Sequence, residues 1–365
     1  MKLLVAMSGG VDSSVAAARL QAEGHDVTGV TMKLWGGESD TGCCSVADVD
    51  DARRAAQHLG IDHLVFNFGD DFLAHVVDPY VDAHATGLTP NPCIECNRHL
   101  KFDRLLGRAE ALGFDGVATG HHARIVHDGD GRRRVARGAD AAKDQSYVLY
   151  VIEPSWLDRI WFPVGDLTKA QVRAEAARLG LRTATKPDSQ DVCFITASAG
   201  RRAFLGQRIP LHPARVVDGA GRPVGHVDAV ELVTVGQRRG LGLAGEEAGR
   251  YALDVDVAAG VVRVGPADEL ATPSVVLGDL VWATGWGPGR LDATSAASER
   301  PAIDLVAQCS AHGQPRAVSV GPGPGPDTVE LTWSGGSQGR VAPGQSVVLY
   351  HDDLVVGGGI ARRVS

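Results

Sequence analysis

The sequence predicts an α/β protein: a parallel sheet with helices on both faces, then a small central β-rich domain, then a C-terminal β-barrel. Three observations carry this. Short apolar runs alternate with helical stretches over about the first 200 residues, which is the rhythm of βα units with parallel strands. A glycine pair, Gly9-Gly10, stands between the first apolar run and the first helical one. After Gly206 the texture turns to short β-rich runs parted by Gly-rich turns, as in small all-β modules. These shifts divide the chain at 1–202, 203–271 and 272–365.

In order, Lys2–Met7 reads as a strand, Ser13–Glu23 as a helix, Asp26–Lys33 as a strand, and Val46–Leu59 as a helix. His63–Phe68 is a third strand, Phe102–Leu112 is helical, and Gly116–Thr119 is a short strand ending at Gly120. These assignments rest on period 3.6 against period 2. In the second half the strand-like runs are Ala214–Val217, Glu231–Val235, Tyr251–Val257 and Val261–Val264. The barrel then takes Val275–Ala283, Ala317–Val320, Val329–Trp333, Ser346–Tyr350 and Gly359–Val364, with a turn at Gly321–Pro326. Ligands of open parallel sheets bind at the carboxyl ends of the strands, so the loops after strands one, two and four matter most.

Composition narrows the class. Of 365 residues 44% are apolar, enough for each domain to bury a core. No run of about 18 apolar residues occurs, which argues against a membrane span and for a cytoplasmic protein. The apolar start runs into a glycine turn without a cleavage site and reads as a first strand, not a signal peptide. Six cysteines are too few for a secreted disulfide scaffold. The net charge of −8 weighs mildly against nucleic-acid binding, yet arginines cluster at Arg132-Arg133-Arg134, Arg201-Arg202, Arg238-Arg239 and Arg362-Arg363. Each cluster taken singly reads as a solvated loop. Cys43-Cys44 read as loop residues, Cys309 as a core or strand residue, and His25, His58, His63 and His75 show no ligand spacing.

The strongest motif is Ser8-Gly9-Gly10-Val11-Asp12-Ser13-Ser14, between a strand and a helix. Glycines let the main chain approach a phosphate, and the N–H groups and dipole of the following helix favour an anion there. The Gly-Lys-Ser/Thr ending of a Walker loop is absent, and with it the lysine that serves the β and γ phosphates. A plain glycine turn would not require Ser, Asp and paired Ser in this order.

The loop resembles that of the pyrophosphatase-loop family, whose members cleave ATP to AMP and pyrophosphate while adenylating a substrate oxygen. Five further segments narrow the resemblance: Thr89-Pro90-Asn91-Pro92-Cys93-Ile94-Glu95-Cys96-Asn97 with Lys101-Phe102; Lys143-Asp144-Gln145-Ser146-Tyr147; Phe162-Pro163-Val164-Gly165; Lys186 to Ile195, containing Cys193; and Gly236 to Leu241. In order and spacing, over nearly the whole chain, they look like the bacterial tRNA-specific 2-thiouridylase family. The resemblance implies an N-terminal fold of the adenine-nucleotide α-hydrolase type. The implied reaction is ATP-dependent 2-thiolation of the wobble uridine in tRNAs for Glu, Gln and Lys. It also implies that a cysteine desulfurase or sulfur-relay protein is a partner.

The same resemblance implies site residues. Cys96 is the nucleophile and Cys193 the persulfide carrier, a pair that can form a disulfide during exchange. ATP contacts are Ala6, Met7, Ser8, Gly9, Gly10, Val11, Asp12 and Ser13, with Met32 beside the adenine and Gly120 near the nucleotide. Asp12 is a candidate Mg²⁺ ligand. His121, Lys143, Asp144, Gln145 and Gln345 are tRNA contacts, and an Arg-Tyr contact of the family falls near Ser310-Ala311. Many relatives carry Asp where Cys93 stands. Cys93 is therefore an auxiliary thiol, or one of three ligands, with Cys96 and Cys193, of an iron–sulfur cluster; zinc with His99 as fourth ligand is a further option. Two other classes compete: a synthetase of the same loop family amidating a small molecule, which would not need Cys96 and Cys193, and a non-catalytic tRNA-binding or sulfur-carrier protein, which would not consume ATP.

Overall fold

The computed structural model describes residues 1–35, 46–188, 192–195, 200–243, 249–288 and 304–363. Cys43-Cys44, Ser189-Gln190-Asp191 and Val364 lie outside the described residues. The chain forms two compact units: Met1–Val77, Pro92–Ser198 and Asp353–Val355 make the first, and the remainder makes the second.

The first unit is built on a parallel sheet. Strand β1 (Lys2–Ala6) lies between β2 (Asp26–Lys33) and β4 (Gly116–Thr119); β3 (Asp62–Asn67) adds beyond β2, and the two-residue β7 (Ile160–Trp161) beyond β4. The central strand reads as an unbroken apolar run because both faces are covered, with Leu3, Leu4 and Val5 fully buried. Helix α1 (Val11–Ala22) packs through Val15, Ala16 and Leu20, and α2 (Val46–Leu59) through Ala52 and Ala56, into one cluster with Leu3, Val5 and Met7. The predicted helix at Phe102–Leu112 is part of a longer one. Pro92 opens a continuous helical stretch ending at Ala111 whose middle, Cys96–Arg104, is π-helical. A second π-helical segment, Leu73–Val77, follows the short helix Gly69–Phe72. Such wide turns recur at functional sites.

The arginines of the 132–134 run are not all in a solvated loop. A hairpin of β5 (Ala123–His127) and β6 (Arg133–Arg137) carries two of them, with Arg134 1% exposed and its Nε 2.8 Å from an Asp128 carboxylate. The Arg133 guanidinium lies over the Trp161 ring, 5.6 Å from its centroid. Strand burial and paired carboxylates thus override the local charge run.

The second unit holds two β modules. One is a four-stranded sheet in the order Tyr251–Asp256, Val261–Gly265, Ala214–Val217, Pro223–Val227, with its own valine-rich core. Glu231–Val235, read as a strand, instead begins with a 3₁₀ turn at Val230–Leu232. Burial of Glu231, 2% exposed, explains the change: its carboxylate accepts from the His212 backbone N–H and lies 2.8 Å from His212 Nδ1, so a side chain occupies what a ladder would have used. The other module is a closed barrel of six strands: Ser274–Trp282, Val329–Trp333, Arg316–Pro322, Leu305–Gln308, Ser346–His351 and Leu354–Ala361, the last pairing back on the first. Among the described residues no helix is long and apolar enough to cross a membrane.

Candidate active site

The loop after β1 is shaped for a phosphate. Gly9 takes φ +72°, and a side chain there would strike the Asp48 carbonyl of α2. Gly10 is the N-cap of α1 and no side chain caps the helix, so its first N–H groups are offered to a ligand. Ser13 Oγ accepts from the Ser8 N–H and, like Ser14 Oγ, donates to the Gly10 carbonyl, at 3.2, 3.2 and 2.9 Å. These bonds set the curvature of the loop. Met7 N–H donates to Val30 O, and Thr31 Oγ1 to Met7 O, tying the loop to β2, where Met32 sits half-buried near the strand end. Gly120, just past β4, lies so close that an added Cβ would be 2.6 Å from Ser13 N and 2.7 Å from Asp12 C. Gly120 therefore serves first as the flat surface against which the loop packs.

Asp12, in the first turn of α1, is the loop's charged centre. Its Oδ1 accepts from His122 Nε2 at 3.1 Å, and Lys169 Nζ donates to both oxygens at 2.8 and 2.6 Å. Burial pushes its pKa up, but the bonds from His122 and Lys169 outweigh burial and hold the carboxyl below its usual value. Lys169 opens helix α3 (Lys169–Arg178), which is fixed by a capping box between Thr168 and Gln171. A lysine in a first helical turn opposes the helix dipole; here two carboxylates compensate, since Nζ also lies 2.9 Å from Asp188. Asp188 further accepts from Lys143 at 2.8 Å and from Arg173 at 2.7 Å. Burial raises its pKa, yet Lys143 and Lys169 prevail and bring it to about 2. Two residues upstream of it, Lys186 bonds Asp48 and Asp51 of α2, both at 2.7 Å.

The residues expected at the tRNA divide by burial. His121 is 7% exposed, 2.6 Å from Thr119 Oγ1 and packed between Phe102 and Phe162; burial, aided by Lys101 and His122, holds the imidazole neutral. Asp144 accepts from Arg137, from the Gly138 and Ser146 N–H groups and from Ser146 Oγ, so its carboxylate organises the loop. Gln145 exchanges bonds with the His122 backbone in both directions. Gln145 is the exposed residue of the four, and Lys143 is half-buried, with its side chain 38% exposed. In the second unit Gln345 holds the Pro343-Gly344 turn, accepting from Ala342 N–H, while Thr89 N–H donates to Pro343 O. Ser310-Ala311 stand in a turn after the barrel strand, where Gln308 Nε2 donates to both carbonyls, and not on a strand as the family contact would require.

The cysteines differ in setting. Cys96 is buried at the start of the π-helical segment, Cys93 is exposed one turn earlier, and Cys193 is half-buried beside Phe194. The Gly69–Val77 stretch touches both cysteine segments: Phe72 meets Phe194 edge-on at 5.7 Å, and His75 stacks on His99 at 4.8 Å. Among the described residues no three His, Cys, Asp or Glu side chains converge as a metal site. His99, the fourth zinc ligand expected from the sequence, faces Glu95 at 3.3 Å. Cys309 belongs to the barrel, and burial pushes its thiol up to about 11.

Neither Lys169 nor Asp188, which lies within the Lys186-to-Ile195 segment, shows a role in the sequence pattern. The Thr168-Lys169-Ala170-Gln171 capping pattern marked the helix start, but nothing in the sequence tells that its first side chain reaches a loop more than 150 positions away.

Comparison with known proteins is consistent along the whole chain. Residues 1–197 match the tRNA methyl transferase HUP domain, 202–266 the tRNA methyl transferase PRC-barrel domain, and 292–361 the aminomethyltransferase beta-barrel domain. A tRNA-specific 2-thiouridylase MnmA of Mycolicibacterium smegmatis is 45% identical over 376 residues, covering 100% of both chains. Relatives of the same name from Roseiflexus sp. and Chloroflexus aurantiacus are 42% and 44% identical, each covering 99% of this chain and at least 98% of their own.

Proposed function

The chain belongs to the tRNA-specific 2-thiouridylase family, and from that premise we propose that it is a sulfurtransferase that uses ATP to make 2-thiouridine at the wobble position of tRNAs for Glu, Gln and Lys. The observation that carries this reading is the coincidence, in one compact unit, of a phosphate loop without a Walker lysine and two cysteine segments touching one helix.

In the first step the uridine C2 oxygen attacks the α-phosphorus of ATP. Pyrophosphate leaves, and the oxygen becomes part of an AMP leaving group. Gly9, Gly10 and the uncapped start of α1 hold the phosphates, and Met32 lies at the adenine. Asp12 fits a divalent cation by its donor chemistry, and bound Mg²⁺ would neutralise phosphate charge there. In the second step the terminal sulfur of a Cys193 persulfide attacks C2 and AMP departs. Cys96 thiolate then attacks the Cys193 sulfur, breaking the S–S bond; the thiocarbonyl sulfur stays on the base and a Cys96–Cys193 disulfide forms. An external thiol reductant returns both cysteines to thiols. A desulfurase or relay protein recharges Cys193.

Lys143 and Gln345 make direct tRNA contacts in this reading, while His121, Asp144 and Gln145 shape the loop that presents Lys143. The wobble base leaves its stack to reach the site. The domain division 1–202, 203–271 and 272–365 is supported by the two separate β cores.

The test is thiolation in vitro of a wobble-uridine tRNA with ATP–Mg²⁺ and a cysteine desulfurase, followed on a mercury-containing gel. A retarded band that requires ATP and is lost in Cys193→Ser and Cys96→Ser, with AMP formation surviving in both, is expected. Absence of both band and AMP, aerobically and anaerobically, would sink the reading.

A further inference from the structure

One amide beside the nucleophile is only half satisfied. Asn97 directly follows Cys96 and is 1% exposed. Its Nδ2 donates to the Val148 carbonyl at 3.0 Å, while its Oδ1 is buried without a hydrogen-bond partner. Among the described residues it is the only amide or carboxylate oxygen left so. Val148 fixes which way the amide faces, since a flipped amide would set two carbonyl oxygens against each other and leave the NH₂ unpaired. Buried acceptors are nearly always paired, because an empty one forfeits its bond to water. The Oδ1 therefore marks a place prepared for a donor that arrives from outside. Asn97 lies in the helical stretch that Pro92 opens, and Cys93, four positions earlier on the same face, is exposed. Helical side chains lean toward the N-terminus, so the amide is directed along the face that Cys93 opens to solvent. Val148 belongs to the 3₁₀ turn Ser146–Leu149, which directly follows Lys143–Gln145. Cys96 itself is 7% exposed, so a base must enter this interior to meet the thiol. Neighbours on a helix point roughly 100° apart, which lets thiol and amide address one base from two sides.

We propose that Asn97 is a specificity-determining residue whose Oδ1 accepts a hydrogen bond from the N3–H of the target uridine and so excludes cytidine. This rests on the reading of the chain as a wobble-uridine thiouridylase with Cys96 as nucleophile. Both pyrimidines carry an oxygen on C2, so the reacting atom does not tell them apart. They differ at N3, the next ring atom: uridine presents an N–H there, cytidine a lone pair. A lone pair facing Oδ1 sets two acceptors against each other and leaves both unpaired. The Val148 carbonyl makes the choice firm, because it prevents the amide from turning its NH₂ to cytidine. No proton moves in this contact. The bond to N3–H leaves more electron density on the C2 oxygen, the atom that attacks ATP in the first step.

The experiment is AMP formation by the full chain with ATP–Mg²⁺ and either of two tRNAs that differ only in a wobble uridine or cytidine, read as kcat/KM. The wild type is expected to favour uridine by roughly tenfold or more, as for a lost hydrogen bond to a buried group. Asn97→Leu, close in size but without an acceptor, is expected to lower the uridine rate and to shrink the preference by roughly tenfold. Asn97→Ala is measured beside it, so that a leucine that fails to pack does not decide the outcome. Asn97→Asp keeps an acceptor oxygen in place and is expected to retain the preference. A wild type that accepts both tRNAs equally overturns the proposal. So does a preference that survives intact in Asn97→Leu and Asn97→Ala while both rates fall by one factor, the mark of a merely structural amide. If the wild type forms no AMP with the uridine tRNA, the functional reading falls and takes Asn97 with it; if it does and the preference ignores Asn97, only this assignment falls.

Discussion

His122 Nε2 lies 3.1 Å from Asp12 Oδ1, while Nδ1 of the same ring is buried without a hydrogen-bond partner. The carboxylate can only accept, so the ring carries its proton on Nε2 toward Asp12. Asp12 thus faces a donor ring on one side and the Lys169 ammonium on the other. Its negative charge organises two elements that are more than 100 positions away in sequence.

Asp12→Asn removes the charge at which Lys169 and His122 are aimed, with little change in shape. AMP formation in the presence of tRNA is expected to fall roughly 100-fold or more, as for loss of a preorganised charge in a phosphoryl-transfer site. Steady-state AMP release checks this. A variant within about threefold of wild type would put the carboxylate outside the ATP chemistry.

Gly120→Ala places a methyl group against backbone that cannot swing away, because the nearest atoms are Ser13 N and Asp12 C. The start of α1 must shift. Overpacking of this kind costs about 1–3 kcal/mol, so a lowered urea midpoint is expected together with a raised KM for ATP. An unchanged KM would mean that the glycine serves packing alone.

The sheet and its loop were legible because they rest on local signals: an apolar period, a glycine pair, and the Ser-x-x-x-x-Ser-Ser order around Asp12. Five barrel strands were legible for the same reason, although the last begins at Leu354 and not at Gly359, and the short strand Leu305–Gln308 was not read. What stayed hidden was set by tertiary partners. Arg134 looked solvated and is buried, because Asp128 six positions earlier turns back to meet it. Glu231 looked like part of a strand and is a buried carboxylate facing His212. Lys169 and Asp188 become a site only when α3 is laid against the loop, a long-range fact no local pattern carries. The π-helical turns at Leu73–Val77 and Cys96–Arg104 were equally invisible, since widening a helix by one residue per turn leaves its apolar pattern helical.

Cys93 is exposed while Cys96 is buried. Among the described residues no three thiols converge, so loss of Cys93 is expected to be mild. Cys93→Asp should keep tRNA thiolation within about threefold of wild type, and protein purified without oxygen should carry no stoichiometric iron. A fall of roughly tenfold or more, accompanied by loss of bound iron, would restore the cluster reading.

His84 gives the second unit a dependence on pH that can be signed in advance. The ring is 3% exposed, 4.6 Å from Tyr80, with Nδ1 3.3 Å from the Glu231 carbonyl. Burial, reinforced by Arg201 and only partly opposed by that carbonyl, lowers its pKa from 6.5 to about 4. Because the folded value is the lower one, the unfolded chain binds a proton first as pH falls. The contribution of His84 is therefore intact above about pH 6.5 and is lost progressively down to about pH 4. Between pH 7 and pH 5 the loss amounts to about 2 kcal/mol. Urea unfolding of the wild type and of His84→Gln across this range isolates the effect, since other titrating groups are common to both. The wild type is expected to lose about 2 kcal/mol more than the variant on going from pH 7 to pH 5. Parallel curves would show that the ring takes up its proton inside the fold at no cost.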